Sequence, residues 1–129
     1  MGTSAAQTKS LYDRLGGRPA VQAAVDLFYQ KVLDDPRISR FFENIDMERQ
    51  RAKQVAFMTF AFGGAPNYSG QSMRKSHEKL VKQDGLNDSH FNAVAENLVA
   101  TLKEMGVAQN LIDEVIAIVS TTRNDVLNR

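Results

Sequence analysis

Residues 46–64 read DMERQRAKQVAFMTFAFGG, and this stretch decides the fold class. Met47, Arg51, Val55, Met58 and Phe62 follow an i, i+4, i+8, i+11, i+15 series, which lines up on one side of an α-helix. Arg51 in that series is read as a snorkelling side chain, its stem against the core and its head in water. Asp46 is placed to cap the first turn, where a side-chain oxygen accepts from an amide that lacks a helical partner. The glycine pair at 63–64 stops the helix, because glycine adopts the left-handed cap conformation without steric cost.

A second side of the same helix carries Gln50, Lys53, Gln54, Phe57 and Ala61, again at helical spacing. A plain surface would not carry the ring and the alanine, and a plain core would not carry two amides and a lysine. Two readings stay open. The polar residues are simply solvated, or the stripe is a cavity wall with an apolar floor and amide donors at one end. Phe41, Phe42, Phe57, Phe60 and Phe62 concentrate five of the seven phenylalanines in this region, as plain core or as the surroundings of a flat apolar ligand.

Working outward, the pattern stays helical. Leu11 and Leu15 share a face of a short helix stopped by Gly16 and Gly17. Pro19 suits the first turn of a helix striped by Val21, Val25, Phe28 and Val32 and closed at residues 34–36. Ile38, Phe41 and Phe42 mark a brief apolar turn, residues 65–70 a loop, and residues 71–83 a further helix ended by Asp84 and Gly85. Two clear amphipathic helices follow, one through Phe91, Val94, Leu98, Leu102 and Met105, the other through Leu111, Ile112, Val115, Ile116 and Val119, with Gly106 between them. No strand alternation and no internal repeat interrupts this. The fold class is all-α.

The 129 residues suffice for one domain, with 43% hydrophobic and 24% charged residues, as in folded soluble chains. Sixteen Lys and Arg against fifteen Asp and Glu leave a net charge of +1, which argues against nucleic acid or a membrane surface as partner. Cysteine is absent, so disulfides, iron–sulfur clusters and thiolate haem ligation are excluded. Residues 1–10 lack the apolar segment of a signal peptide, and a cytoplasmic location is expected. Neither a serine-hydrolase elbow nor a phosphate-binding loop is present.

Only two histidines occur. Met73, His77, Leu80 and Val81 fall at i, i+4, i+7 and i+8, which turns His77 inward, as a satisfied core residue or as a ligand. With no cysteine and no second inward histidine, the common metal role left to it is axial ligation of haem. His90, in the first turn of its helix behind the capping residues 87–89, reads as a surface residue.

Taken together, Leu11-Tyr12-Asp13-Arg14-Leu15-Gly16-Gly17, Phe28-Tyr29, Phe41-Phe42, Gln50-Arg51 with Gln54 and Phe57, Phe62-Gly63-Gly64, Tyr68 with Gly70, Met73-Arg74 with His77, and Asp84-Gly85-Leu86 resemble the group I truncated haemoglobins. The likeness is greatest to those of cyanobacteria and green algae, and it covers almost the whole chain beyond the first ten residues. It implies a shortened globin of two helices packed over two, spanning 11–129 behind a flexible extension 1–10, with one haem b. It implies His77 as the proximal iron ligand and Phe42 packed on the haem ring. Tyr29, Gln50 and Gln54 become the distal donors to an iron-bound ligand and the residues expected to act in catalysis. Phe57, Met73, Leu80 and Phe91 become apolar pocket residues, with Phe41, Arg49, Lys53 and Tyr68 also at the cofactor.

Two departures stand out. Position 53, a ligating histidine in cyanobacterial relatives, is Lys53 here, either a sixth iron ligand as the neutral amine or a partner for a haem propionate. The late histidine that those relatives can join to a haem vinyl group is missing from residues 120–124 (STTRN), so the haem is expected to be non-covalent. The resemblance thus implies binding of O2 and nitric oxide, with nitric oxide dioxygenation supported by an external reductase as the leading activity. Reversible oxygen binding, storage or sensing is the alternative, and a monomer is expected.

Overall fold

A computed structural model describes residues 10–43, 46–64 and 70–129, with seven α-helices and one 3-10 turn among them. Helix α1 is Leu11–Leu15, α2 is Arg18–Asp34, the 3-10 turn is Ser39–Phe42, α3 is Met47–Ala61 and α4 is Gly70–Lys82. Helix α5 is Asp88–Glu104, α6 is Gln109–Ser120 and α7 is Arg123–Val126. Helix α2 packs on α3 and on α5, while α6 packs on α5 and on α3, which makes two helices cross two others. No helix among the described residues is long and apolar enough to cross a membrane.

The stops and caps follow the local chemistry. Gly16 takes φ +110°, where a side chain would be strained, and its N–H donates to the Asp13 carbonyl oxygen at 3.2 Å as the chain reverses into α2. Ser10 is the N-cap of α1, its side-chain oxygen accepting from the Asp13 amide at 3.2 Å. Asp46 caps α3 as expected, its carboxylate accepting from the Arg49 amide at 3.2 Å. Gly64 is required by close approach: a Cβ there would stand 2.6 Å from the Tyr12 ring.

The core is the union of the apolar stripes. Val21, Ala24, Val25, Phe28, Tyr29 and Val32 of α2 are buried against Met58, Ala61 and Phe62 from α3 and its end. Leu98 and Leu102 of α5 and Ile112, Val115 and Val119 of α6 complete it. Burying side chains of this size contributes about 1.5–3 kcal/mol each.

Three details differ from the sequence reading. Arg51 does not snorkel alone, because its guanidinium meets the Asp26 carboxylate of α2 at 2.8 Å. Gly70, expected in the loop, opens α4. Helix α7 is an addition, being too short to show a periodicity. The remainder of the expected loop, with Tyr68, and the Met47 side chain lie outside the described residues.

Candidate functional site

A cavity of about 470 Å³ opens between α3, α4 and α5, within the size range of cofactor sites. The second stripe of α3 forms one wall through Gln50, Lys53, Gln54 and Phe57, so that stripe is a cavity wall rather than a plain solvated face. Ala61, at its end, is buried in the core instead. The opposing wall comes from α4 through Met73, His77, Lys79 and Leu80, and Phe91 closes the α5 side. Phe41 and Phe42 border the same space from the 3-10 turn.

His77 has the most informative geometry. Its Nδ1 lies 2.7 Å from the Met73 carbonyl oxygen, one helical turn earlier. A carbonyl can only accept, so Nδ1 carries the proton and Nε2 keeps its lone pair. Burial holds the His77 pKa below its ordinary value, the Met73 carbonyl opposes this, and the Lys53 charge on α3 adds to the lowering. The imidazole is therefore neutral near pH 7, the form that binds a metal. Among the described residues no group of three or more His, Asp or Glu side chains could hold a metal ion.

Tyr29 is placed differently from the other expected donors. It is 6% exposed, does not itself border the cavity, and meets the Phe42 ring edge-on with the ring centroids 6.0 Å apart. Its hydroxyl is buried and completes no hydrogen bond within the chain. Burial drives the phenol well above its ordinary pKa despite the nearby Gln50 amide, so the hydroxyl stays protonated as a donor. A buried hydroxyl without a partner is costly, and it fits a fold that expects an acceptor from a bound group.

Charge collects at the mouth. Arg40, Lys53 and Lys79 border the cavity together with Glu43 and Asp84. The Arg40 guanidinium lies 4.2 Å over the Phe41 ring and donates to the Asp84 carbonyl oxygen at 2.9 Å. Arg49 is exposed and does not border the cavity.

His90 is half-buried, closer to the site than its reading as a surface residue implied. It borders the cavity, and its ring meets Phe41 edge-on at 4.9 Å. Its Nδ1 accepts from the Asn87 amide at 3.0 Å, closing a capping box with Asn87. The proton therefore sits on Nε2, and burial followed by the Arg40 charge lowers its pKa. The Asn-x-x-His spacing was a visible sign of the capping box. The contact with Phe41 joins distant parts of the chain and left no local pattern.

An imidazole lone pair on one wall, amides on the other, aromatic rings beside them and cations at the mouth fit a flat, apolar, metal-bearing ring with acidic substituents.

The model of the bacterial-like globin family matches residues 10–128. The group 1 truncated haemoglobin GlbN of Synechocystis is 54% identical over 122 residues, covering 93% of this chain and 98% of that protein. The crystal structure of the 2/2 haemoglobin of Synechococcus sp. PCC 7002, in the cyanomet state and with covalently attached haem, superposes with a TM-score of 0.86 at 56% identity, covering 94% of this chain and all of that one. The structure of Chlamydomonas reinhardtii THB1 gives a TM-score of 0.82 at 48% identity, covering 92% and 97%.

Proposed function

The chain belongs to the group 1 truncated haemoglobins, within the bacterial-like globin family, and from that premise we propose that it converts nitric oxide to nitrate. As a haem globin it binds ligands at the haem. The single observation that carries the site is the His77 imidazole, its Nδ1 fixed on the Met73 carbonyl and its Nε2 left free at the cavity. When bound, haem supplies an iron centre that takes O2 and nitric oxide, yields nitrate, and regains one electron from an external reductase.

The residues of the chain prepare that chemistry. Gln50 and Gln54 offer amide N–H groups from the α3 wall, and the protonated Tyr29 hydroxyl, beside Gln50, is a further donor. Donors of this kind favour a ligand that carries partial negative charge and slow its escape, which suits oxidation better than carriage. Phe41, Phe42, Phe57, Met73, Leu80 and Phe91 exclude water around the ring. Arg40 and Lys79 supply cations for the haem carboxylates, and Arg49, exposed and not bordering the cavity, adds only to the surrounding positive field.

Lys53 is the resting-state sixth ligand in this reading, donating the lone pair of its neutral amine. Its support is its place on the α3 wall between Gln50 and Gln54. Its exposure favours the second reading, in which the ammonium pairs with a haem propionate at the mouth. The haem is held without a covalent bond. Of residues 120–124 only Thr122 borders the cavity, and its hydroxyl donates to the Val119 carbonyl at 2.6 Å. We further infer a cytoplasmic monomer, consistent with a cysteine-free chain.

Stopped-flow mixing of the oxygenated protein with nitric oxide tests the chemistry. Stoichiometric nitrate, repeated over many turnovers with a reductase, is the expected result. Slow or absent nitrate formation with rapid oxygen release would leave reversible oxygen binding in its place.

A further inference from the structure

Helix α4 carries His77 yet has little support from the main helical core. Among the described residues its principal helical neighbour is α7, while its other side borders the cavity. Contacts between α4 and residues 123–129 converge on Arg74. Its Nη1 donates to the main-chain oxygen of Arg129 at 3.0 Å and stands 3.4 Å from the Asp125 carboxylate. The main-chain oxygen of Arg74 accepts from Asn128 Nδ2 at 3.1 Å.

That last bond matters for the site. The carbonyl immediately before it, of Met73, is the one that orients the His77 ring. One of two consecutive carbonyls is thus clamped from outside, and the other aims the imidazole. Asn128 reaches Arg74 from φ +59°, the one non-glycine residue at positive φ among those described. Segment 123–129 is anchored in turn to α5, where Arg123 and Arg129 both donate to the Asp88 carboxylate at 2.9 Å. Leu127, 4% exposed, secures it to the core.

We propose that Arg74 and Asn128 are positioning residues for His77, and that segment 123–129 is a clasp that fixes the main chain beneath the imidazole. The proposal rests on the reading of His77 as the haem ligand. Loss of the clasp frees the α4 backbone at residues 73–74, tilts the ring and weakens its hold on iron.

The test compares wild type with Arg74→Ala and Asn128→Gly, the latter deleting the side chain while keeping the positive φ accessible. Arg37→Ala, which removes an ion pair with Asp35 away from the clasp, is the control. Haem transfer to excess apomyoglobin and the iron–histidine stretching band of the ferrous protein are recorded. Both clasp variants should lose haem roughly 2- to 10-fold faster, the range set by one hydrogen bond, and shift or broaden the band. Wild-type behaviour in both, or an equal change in Arg37→Ala, overturns the proposal. Absence of a Soret band in wild type with hemin would instead defeat the haem reading. Amide exchange at residues 73–78 of the apo-protein then decides the clasp alone: faster exchange in the variants supports it, and unchanged exchange overturns it.

Discussion

Replacing Tyr29 by phenylalanine separates what the hydroxyl costs the fold from what it gives the site. The ring would keep its packing, 6.1 Å from Phe28 and 6.0 Å from Phe42. The lost oxygen is one that is buried and without a partner. Burying an unpaired hydroxyl costs about 1–3 kcal/mol on the scale of protein mutations. Gln50 lies near enough to act on the hydroxyl, which places the gain towards the lower end. Apo Tyr29→Phe should therefore be more stable than wild type by about 1 kcal/mol. In the oxygenated protein the effect on the ligand has the opposite sign. A hydrogen bond to a charged acceptor contributes about 1.5–3 kcal/mol, so its loss should speed O2 release by roughly 10- to 150-fold. Urea unfolding of the apo-protein and stopped-flow replacement of O2 by carbon monoxide measure the two effects. A destabilised apo variant with unchanged O2 release would refute the reasoning, since the hydroxyl would then serve the fold and not the ligand.

Three other outcomes are expected. Gly64→Ala forces a methyl against the Tyr12 ring and should cost about 1–3 kcal/mol in urea unfolding, whereas no loss would mean the ring moves freely aside. Lys53→Ala should convert a low-spin ferric spectrum to a high-spin one, and an unchanged low-spin spectrum would eliminate Lys53 as the sixth ligand. Asp35 has its pKa held well below the usual carboxylate range, first by Arg37 and then by Asn97. A depressed carboxylate stabilises the fold above its unfolded pKa of ~3.9 and loses that contribution as pH falls towards the folded value. The stability gap between wild type and Asp35→Asn should thus narrow below pH ~4; a gap that stays constant in acid would show that the Asp35 pairings contribute nothing.

Much of the fold was legible because it rests on local rules. Helical spacing marked α2, α5 and α6, and the caps at Asp46 and Gly16 needed only the chemistry of a helix end. The cavity wall on α3 was visible as an odd mixture of residues on one stripe, and the inward turn of His77 as its place among apolar neighbours. Other features depend on pairings between distant segments. Arg51 finds Asp26 on α2, and His90 finds Phe41 on the 3-10 turn; no spacing rule records either contact. Tyr29 meets Phe42 edge-on through the packing of α2 against the 3-10 turn, a contact that local spacing likewise does not record. The clasp around Arg74 was hidden for the same reason, because α7 is a single turn whose partners lie on α4 and α5.

Hemin titration of apo wild type beside apo His77→Gly tests the central claim most directly. Wild type should develop a sharp Soret band that saturates at one haem per chain, and the variant should lose that band or recover it only with added imidazole. Equal, tight haem uptake and identical ferrous spectra in the two proteins would contradict the account.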